Sequence, residues 1–203
     1  GDVLKEYAVN TGVDDILNGD AIGSRGAVFH VGKHCNRCTP EECRENMINY
    51  INTVIRNTLD VPAKFILETG ANCGTEVCRR LEDLKYIYDN IEHKEKFGFC
   101  IDTCHIFAAG FDIRSNPMKY IKDFDDLIGL KKVDLIHLND SKGELGSHLD
   151  RHQSLSKGLI GKYGLQTFIK KFSEIRVPLV LETPAIEDLR LNDQHLIRNW
   201  KFE

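Results

Sequence analysis

Five short apolar runs in this chain each deliver a metal-binding side chain at their last residue: Ala27-Val28-Phe29-His30, Phe65-Ile66-Leu67-Glu68, Phe99-Cys100-Ile101-Asp102, Leu135-Ile136-His137 and Leu179-Val180-Leu181-Glu182. Runs without polar alternation suit strands covered on both faces, as the strands of a parallel sheet are. Parallel strands share one C-terminal face, where a (β/α) barrel keeps its active site. Two imidazoles and three carboxylates converging there predict a divalent ion, zinc or manganese before others.

Helical pattern fills the intervals. Thr39-Pro40-Glu41-Glu42 offers an N-cap, a proline in the first turn and a capping-box glutamate, followed by an apolar face of Cys43, Met47, Ile51, Val54 and Ile55. The next interval predicts a second helix capped by Thr75, with Val77, Leu81, Leu84, Tyr88 and Ile91 as its inner stripe. Asn116-Pro117 opens a third, Tyr163 to Ile175 reads as a fourth, Val3 to Ile16 leads into the first strand and Leu189 to Trp200 closes the chain. The ligands stand 38, 34, 35 and 45 residues apart, each interval long enough for a strand, helix, strand unit of roughly 30 or more residues.

The fold class is therefore α/β, with residues 1–203 forming one partial barrel domain without a linker. A complete (β/α)8 barrel needs eight strands and about 250 residues, so the chain carries roughly the last five units of one and reads as the C-terminal part of something larger. No run approaches the roughly 20 apolar residues of a membrane span, and the first residues lack the basic start and apolar core of a signal peptide. Seven cysteines, an odd number at low density, suit reduced thiols, so an intracellular location is expected, cytoplasmic or nuclear. A net charge of −4 gives no overall pull toward nucleic acid, although carboxylates neutralised by bound ions would change the local potential.

A lone buried histidine is more often a core residue than a ligand, but its place at a strand end beside others reverses that preference for His30 and His137. Glu68, Asp102 and Glu182 each end an apolar run, where burial is costly without a partner; three such sites together favour a metal over separate salt bridges. His105 lies three residues past Asp102, and Asp150 and His152, two apart, fall on one side of an extended backbone, which makes a second metal position. Cys100 and Cys104 read as packing residues, and Cys35-x-x-Cys38 with Cys43 lacks the second half of a structural zinc site. Lys33, Lys142, Arg151, Lys157 and Lys162 lie in loops on the ligand side and could hold phosphates, although loop cations are ordinarily just solvated.

The motifs Phe97-Gly98-Phe99-Cys100-Ile101-Asp102-Thr103-Cys104-His105 through Arg114, His137-Leu138-Asn139-Asp140-Ser141-Lys142, Gly146-Ser147, Asp150-Arg151-His152, Gly158-Leu159-Ile160-Gly161 and Leu181-Glu182-Thr183-Pro184 resemble the endonuclease IV family of apurinic/apyrimidinic (AP) endonucleases. The likeness runs from about residue 20 to about 185. It implies a zinc-dependent (β/α)8 barrel that cuts duplex DNA 5′ to abasic sites in base excision repair. It implies up to three zinc ions, exchangeable in part with manganese. Glu68 would bridge two of them, with His30 on the first and Asp102, His137 and Glu182 completing the second; His105, Asp150 and His152 would hold the third. Glu68, Asp102 and Glu182 would be catalytic and Lys33, Lys142, Arg151 and Lys157 would bind DNA. The family's further histidine on the first zinc and its groove-inserting early loops have no counterpart here, so the isolated 203-residue chain is expected to be poorly active. The family's Leu-Gly-x-Gly turn reads Leu155-Ser156-Lys157-Gly158. Two rival readings are a metal-dependent sugar isomerase or epimerase on the same barrel, against which the additional ligands His105, Asp150 and His152 count, and a non-catalytic metal-binding fragment, which the missing three units favour and the eight retained ligands oppose.

Overall fold

A computed structural model describes residues 2–184 and 189–200. Helix α1 (Asp2–Ala21) precedes strand β1 (Gly26–His30), followed by α2 (Pro40–Arg56), β2 (Lys64–Glu68), α3 (Leu81–Asp89), β3 (Phe97–Asp102), a short α4 (Thr103–Ala108), α5 (Pro117–Leu127) and β4 (Val133–His137). A two-stranded ribbon, β5 (Asp140–Ser141) with β6 (His152–Gln153), then α6 (Gly161–Glu174), β7 (Leu179–Val180) and α7 (Leu189–Asn199) complete the order. The main sheet runs β1-β2-β3-β4-β7, parallel throughout. It is five consecutive units of a xylose isomerase-like TIM barrel, and among the described residues β1 and β7 are its edges.

Local chemistry explains where the helices start. Thr39 Oγ1 accepts from the Glu42 amide at 3.1 Å while Glu42 Oε2 accepts from the Thr39 amide at 2.8 Å, a complete capping box at α2. Asn116 caps α5 by accepting from Lys119 N, with Pro117 next, and α1 extends past Ile16 to Ala21. The helix expected after Thr75 does not start there. Cys78 adopts φ +65°, α3 begins at Leu81, and its start is held by Asp83 Oδ2 accepting from Arg80 N at 3.1 Å. Thr75 instead joins two loops, its Oγ1 and carbonyl accepting from the amides of Cys35 and His34.

The outward side chains of the strands pack under the helices. Phe29 stacks on Phe65 with centroids 4.0 Å apart, and Phe97, Phe99 and Phe124 continue the aromatic layer edge to face. Ile51, Ile55 and Ile87 close over it, all essentially buried. In the opposite direction the sheet faces the barrel interior, where β2 presents Lys64, Ile66 and Glu68 in alternation.

One irregularity interrupts this alternation. Phe99 pairs with Val133 but Cys100 pairs with Leu135, so Asp134 is the extra residue of a β-bulge. Asp134 thereby turns inward and meets Lys64, whose Nζ lies 3.0 and 3.1 Å from its two oxygens. Gly98 leaves the space: a Cβ at that position would collide with the Asp134 carboxylate.

Candidate metal centre

His30, Glu68, Asp102 and His137 are the last residues of β1, β2, β3 and β4, so the sheet delivers them to one face. Glu182 arrives differently. Regular pairing of β7 ends at Val180, and the two following residues continue beyond the strand. The short helix α4 adds His105, the loop after β5 adds Asp150 and β6 adds His152.

Their donor atoms fall into overlapping groups. Glu68, Asp102, His137 and Glu182 place one ligand atom each within 4.8 Å of the others, as do His105, Asp150 and His152. His137 Nδ1 lies 2.7 Å from Glu68 Oε1, 2.9 Å from Glu182 Oε2 and 3.9 Å from Asp102 Oδ2. An imidazole nitrogen thus sits among three carboxylates. Burial alone would lower the His137 pKa, but hydrogen bonds with Cys100, Glu182 and Glu68 raise it to about 12.

The second group carries a sharper mark. His105 Nδ1 donates to the Thr69 carbonyl at 2.8 Å and His152 Nδ1 to the Glu182 carbonyl at 3.2 Å. Each ring's other nitrogen, Nε2, is buried without a hydrogen-bond partner, and both lie 3.2 Å from Asp150 Oδ1. An imidazole held through one nitrogen by a carbonyl, with the other bare and aimed at a shared carboxylate, is the arrangement of a metal-ligating histidine. Burial opposes protonation of His105, yet Asp102, Asp150 and Glu68 raise its pKa to about 10. The His105 and His152 imidazoles facing it hold the Asp150 carboxyl well below the usual range, while burial pushes Asp102 up.

All ion pairs of Glu68, Asp102, Asp150 and Glu182 among the described residues are to histidines. A cluster of carboxylates with no lysine or arginine ion-paired to it among the described residues fits divalent cations, and the mixed N/O donor set suits zinc or manganese. His30, the most exposed of the ligands, lies 3.4 Å from Glu68 and near His105. Both ring nitrogens of His105 are already directed elsewhere, which leaves His30 and Glu68 as two donors, short of the three a catalytic zinc takes.

The cysteines divide. Cys100 and Cys104 are fully buried; the first lies near Glu68 and His137, the second near Asp102 and His152. Burial raises both thiols, to about 11 and about 12, which keeps them protonated. Cys35, Cys38 and Cys43 join none of the ligand groups among the described residues. The expected phosphate-binding cations are dispersed: Lys33 pairs with Glu76 at 3.3 Å, whereas Lys142, Arg151 and Lys157 are exposed in the loops flanking β5 and β6. Arg151 donates to the Asp150 carbonyl, so it stays beside the second group.

Several functional neighbours escape a reading of ligand types. Thr69 anchors His105 through its carbonyl and accepts from the Asp102 amide through Oγ1. Asp140 is a fully buried carboxylate that is no ligand: its oxygens accept from the amides of Ser141, Gly158 and Ile160, tying the Lys157 turn to the strand end. Asn139, between two ligand-bearing segments, touches both Asp102 and Glu182. Only its place in His137-Leu138-Asn139-Asp140 hints at such a role.

Comparison with known proteins agrees with this geometry. The family model of the xylose isomerase-like TIM barrel matches residues 5–200. A protein named probable endonuclease 4 from Pediococcus pentosaceus is 38% identical over 184 residues, covering 90% of this chain and 61% of that protein. An apurinic-apyrimidinic endonuclease of Caenorhabditis elegans is 36% identical over 174 residues, 85% of this chain and 43% of its own. The crystal structure of endonuclease IV from Thermus thermophilus superposes with a TM-score of 0.81 at 29% identity, over 96% of this chain and 68% of that one. The chain thus spans about three fifths or less of the length of these curated relatives. It belongs to the xylose isomerase-like TIM barrel family, and its sequence places it with the endonuclease IV members of that family.

Proposed function

We propose that this chain forms the metal-bearing part of an AP endonuclease that hydrolyses the phosphodiester 5′ to abasic sites in duplex DNA, with zinc as the working ion. The observation that carries the reading is the pair of orphaned Nε2 atoms of His105 and His152 facing Asp150, beside a four-ligand group that already accounts for one ion. Two separate centres this close suit a phosphodiester, whose attacking and leaving oxygens both need charge stabilisation. Relatives named for AP endonuclease or endonuclease 4 activity support the substrate class.

Divalent ions bound at these groups supply Lewis acidity and a lowered water pKa. The chain's own residues do the rest. Glu68 and Asp102 at strand ends and Glu182 beyond β7 supply the carboxylates, and Thr69 and the Glu182 carbonyl fix the ring orientation of His105 and His152. Lys142, Arg151 and Lys157 line the loops where a phosphate backbone would approach, and their exposure leaves them free to turn toward it. Cys100 and Cys104, buried and protonated, pack beside the ligand groups.

The test is incision of a duplex containing one synthetic abasic site, with loss of activity on chelation and in Asp102→Asn. Products ending in a 3′-hydroxyl and a 5′-deoxyribose phosphate are expected. Turnover of a ketose with no incision would instead support an isomerase or epimerase.

A further inference from the structure

We propose that Asn139 is a positioning residue that sets the spacing of Asp102 and Glu182 and thereby the affinity of the four-ligand group for its ion. The inference rests on the metal-centre reading above and adds to it the residue that assembles the centre.

Glu182 is the one ligand of that group which no strand delivers. The last main-chain link between β4 and the β7 segment is Leu138 N donating to the Val180 carbonyl at 2.8 Å. One residue further along the chain, past the end of β4, the Asn139 side chain takes over: its Oδ1 accepts from the Glu182 amide at 2.9 Å. That bond also fixes which way the amide points, because a backbone N–H needs the oxygen. The NH2 group is consequently turned to the carboxylates, donating to Asp102 Oδ2 at 2.8 Å and reaching Glu182 Oε2 at 3.4 Å.

Asn139 itself has no freedom to drift. It is fully buried, and its amide and carbonyl both bond the hydroxyl of Thr103, the residue after Asp102, at 2.9 and 2.6 Å. The side chain therefore spans a rigid strand end, β3, and an irregular segment after β7. It offers one N–H to each of two carboxylates.

The chemistry of the amide matters as much as its reach. Two adjacent carboxylates repel and splay unless something holds them, and a lysine placed between them would neutralise the charge that attracts an ion. A neutral double donor orients both and leaves their charge intact. Outer partners that orient metal ligands in this way change metal affinity by roughly 10–100-fold when removed.

Zinc affinity, measured by competition with a chromophoric chelator, and thermal melting of the metal-free chain together test this. Asn52→Ala is the matched control: Asn52 is also buried and also bridges two backbone groups, donating to the Asn90 carbonyl at 3.1 Å and accepting from Glu92 N at 3.0 Å, but far from the ligands. Both variants should melt lower. Only Asn139→Ala should lose zinc affinity, by roughly tenfold or more. Should Asn139→Ala not fold, Asn139→Ser is expected to lose affinity in the same direction. Wild-type affinity in the Asn139 variant, or an equal loss in Asn52→Ala, overturns the proposal. A wild-type chain that takes up no zinc overturns the metal-centre reading, and this proposal with it.

Discussion

At the lower end of the sheet Asp134 lies against Lys64, with both carboxylate oxygens within 3.1 Å of one ammonium; at the upper end Glu68, Asp102 and Glu182 lie against histidines and one another. Both ends place acidic side chains on the inner side of the same sheet. The lower end neutralises its charge with a covalently attached cation, which costs little and does nothing further. On the proposed reading, the upper end leaves part of the neutralising charge to a diffusible ion. Buried like charges without a fixed partner are expensive, so their persistence at the upper end marks where chemistry outranks stability.

The largest test of that contrast is Glu182→Gln. The volume is unchanged and a ligand charge is lost, so we expect incision and zinc content to fall together, affinity by at least about tenfold, with little change in melting of the metal-free chain. Near-normal zinc content would show that the upper carboxylates are compensated from within, like the lower one.

Proton linkage should separate the two ends next. His105 and His137 titrate near 6.5 when unfolded but at about 10 and about 12 in the metal-free fold, so their contribution is present in full below pH 6.5 and is lost as pH rises through those values. Melting of the metal-free chain should therefore fall between pH 6.5 and 10. Zinc affinity should rise over the same range, because binding must displace those protons. A melting temperature that is flat in pH without metal would remove the imidazoles from the upper charge balance.

Lys64→Met addresses the lower end. It leaves Asp134, packed against Gly98, without its cation, and because the pair is a third and a fifth exposed the cost should be about 1–2 kcal/mol rather than the full penalty of a buried charge. Zinc uptake should not change. The smallest effect is expected for Arg151→Ala: weaker DNA binding with a salt slope reduced by about 0.9, and metal content as in the wild type.

Much of the upper end was legible in the sequence because burial and charge conflict there in an obvious way: a carboxylate or imidazole closing an apolar run has few explanations. His30, Glu68, Asp102 and His137 each close a strand, as that argument expects. Asn139 and Asp140 were not legible, since short polar residues after a strand read as loop, and what distinguishes them is how their hydrogen bonds are filled. The start of α3 was missed for a related reason. Its cap is supplied by Asp83 from inside the helix, so no Ser or Thr precedes it, and Thr75 offered a false signal. Ser156, where the family pattern carries glycine, sits at φ +62°, so the turn keeps its shape with a less suitable residue.

Asp134 and His137 are three residues apart, an odd interval that would send them to opposite sides of an ordinary strand. The bulge at Asp134 acts as a phase correction, restoring both to the same side. Its consequence is that the two ends of β4 keep separate counts. Losing one residue at the bulge would swing Asp134 away from Lys64 while the rows from Cys100–Leu135 up to Asp102–His137 stayed in step. The metal rim is in this sense insulated from insertions and deletions beneath it, and the lower end is free to drift over evolutionary time without carrying the ligands along.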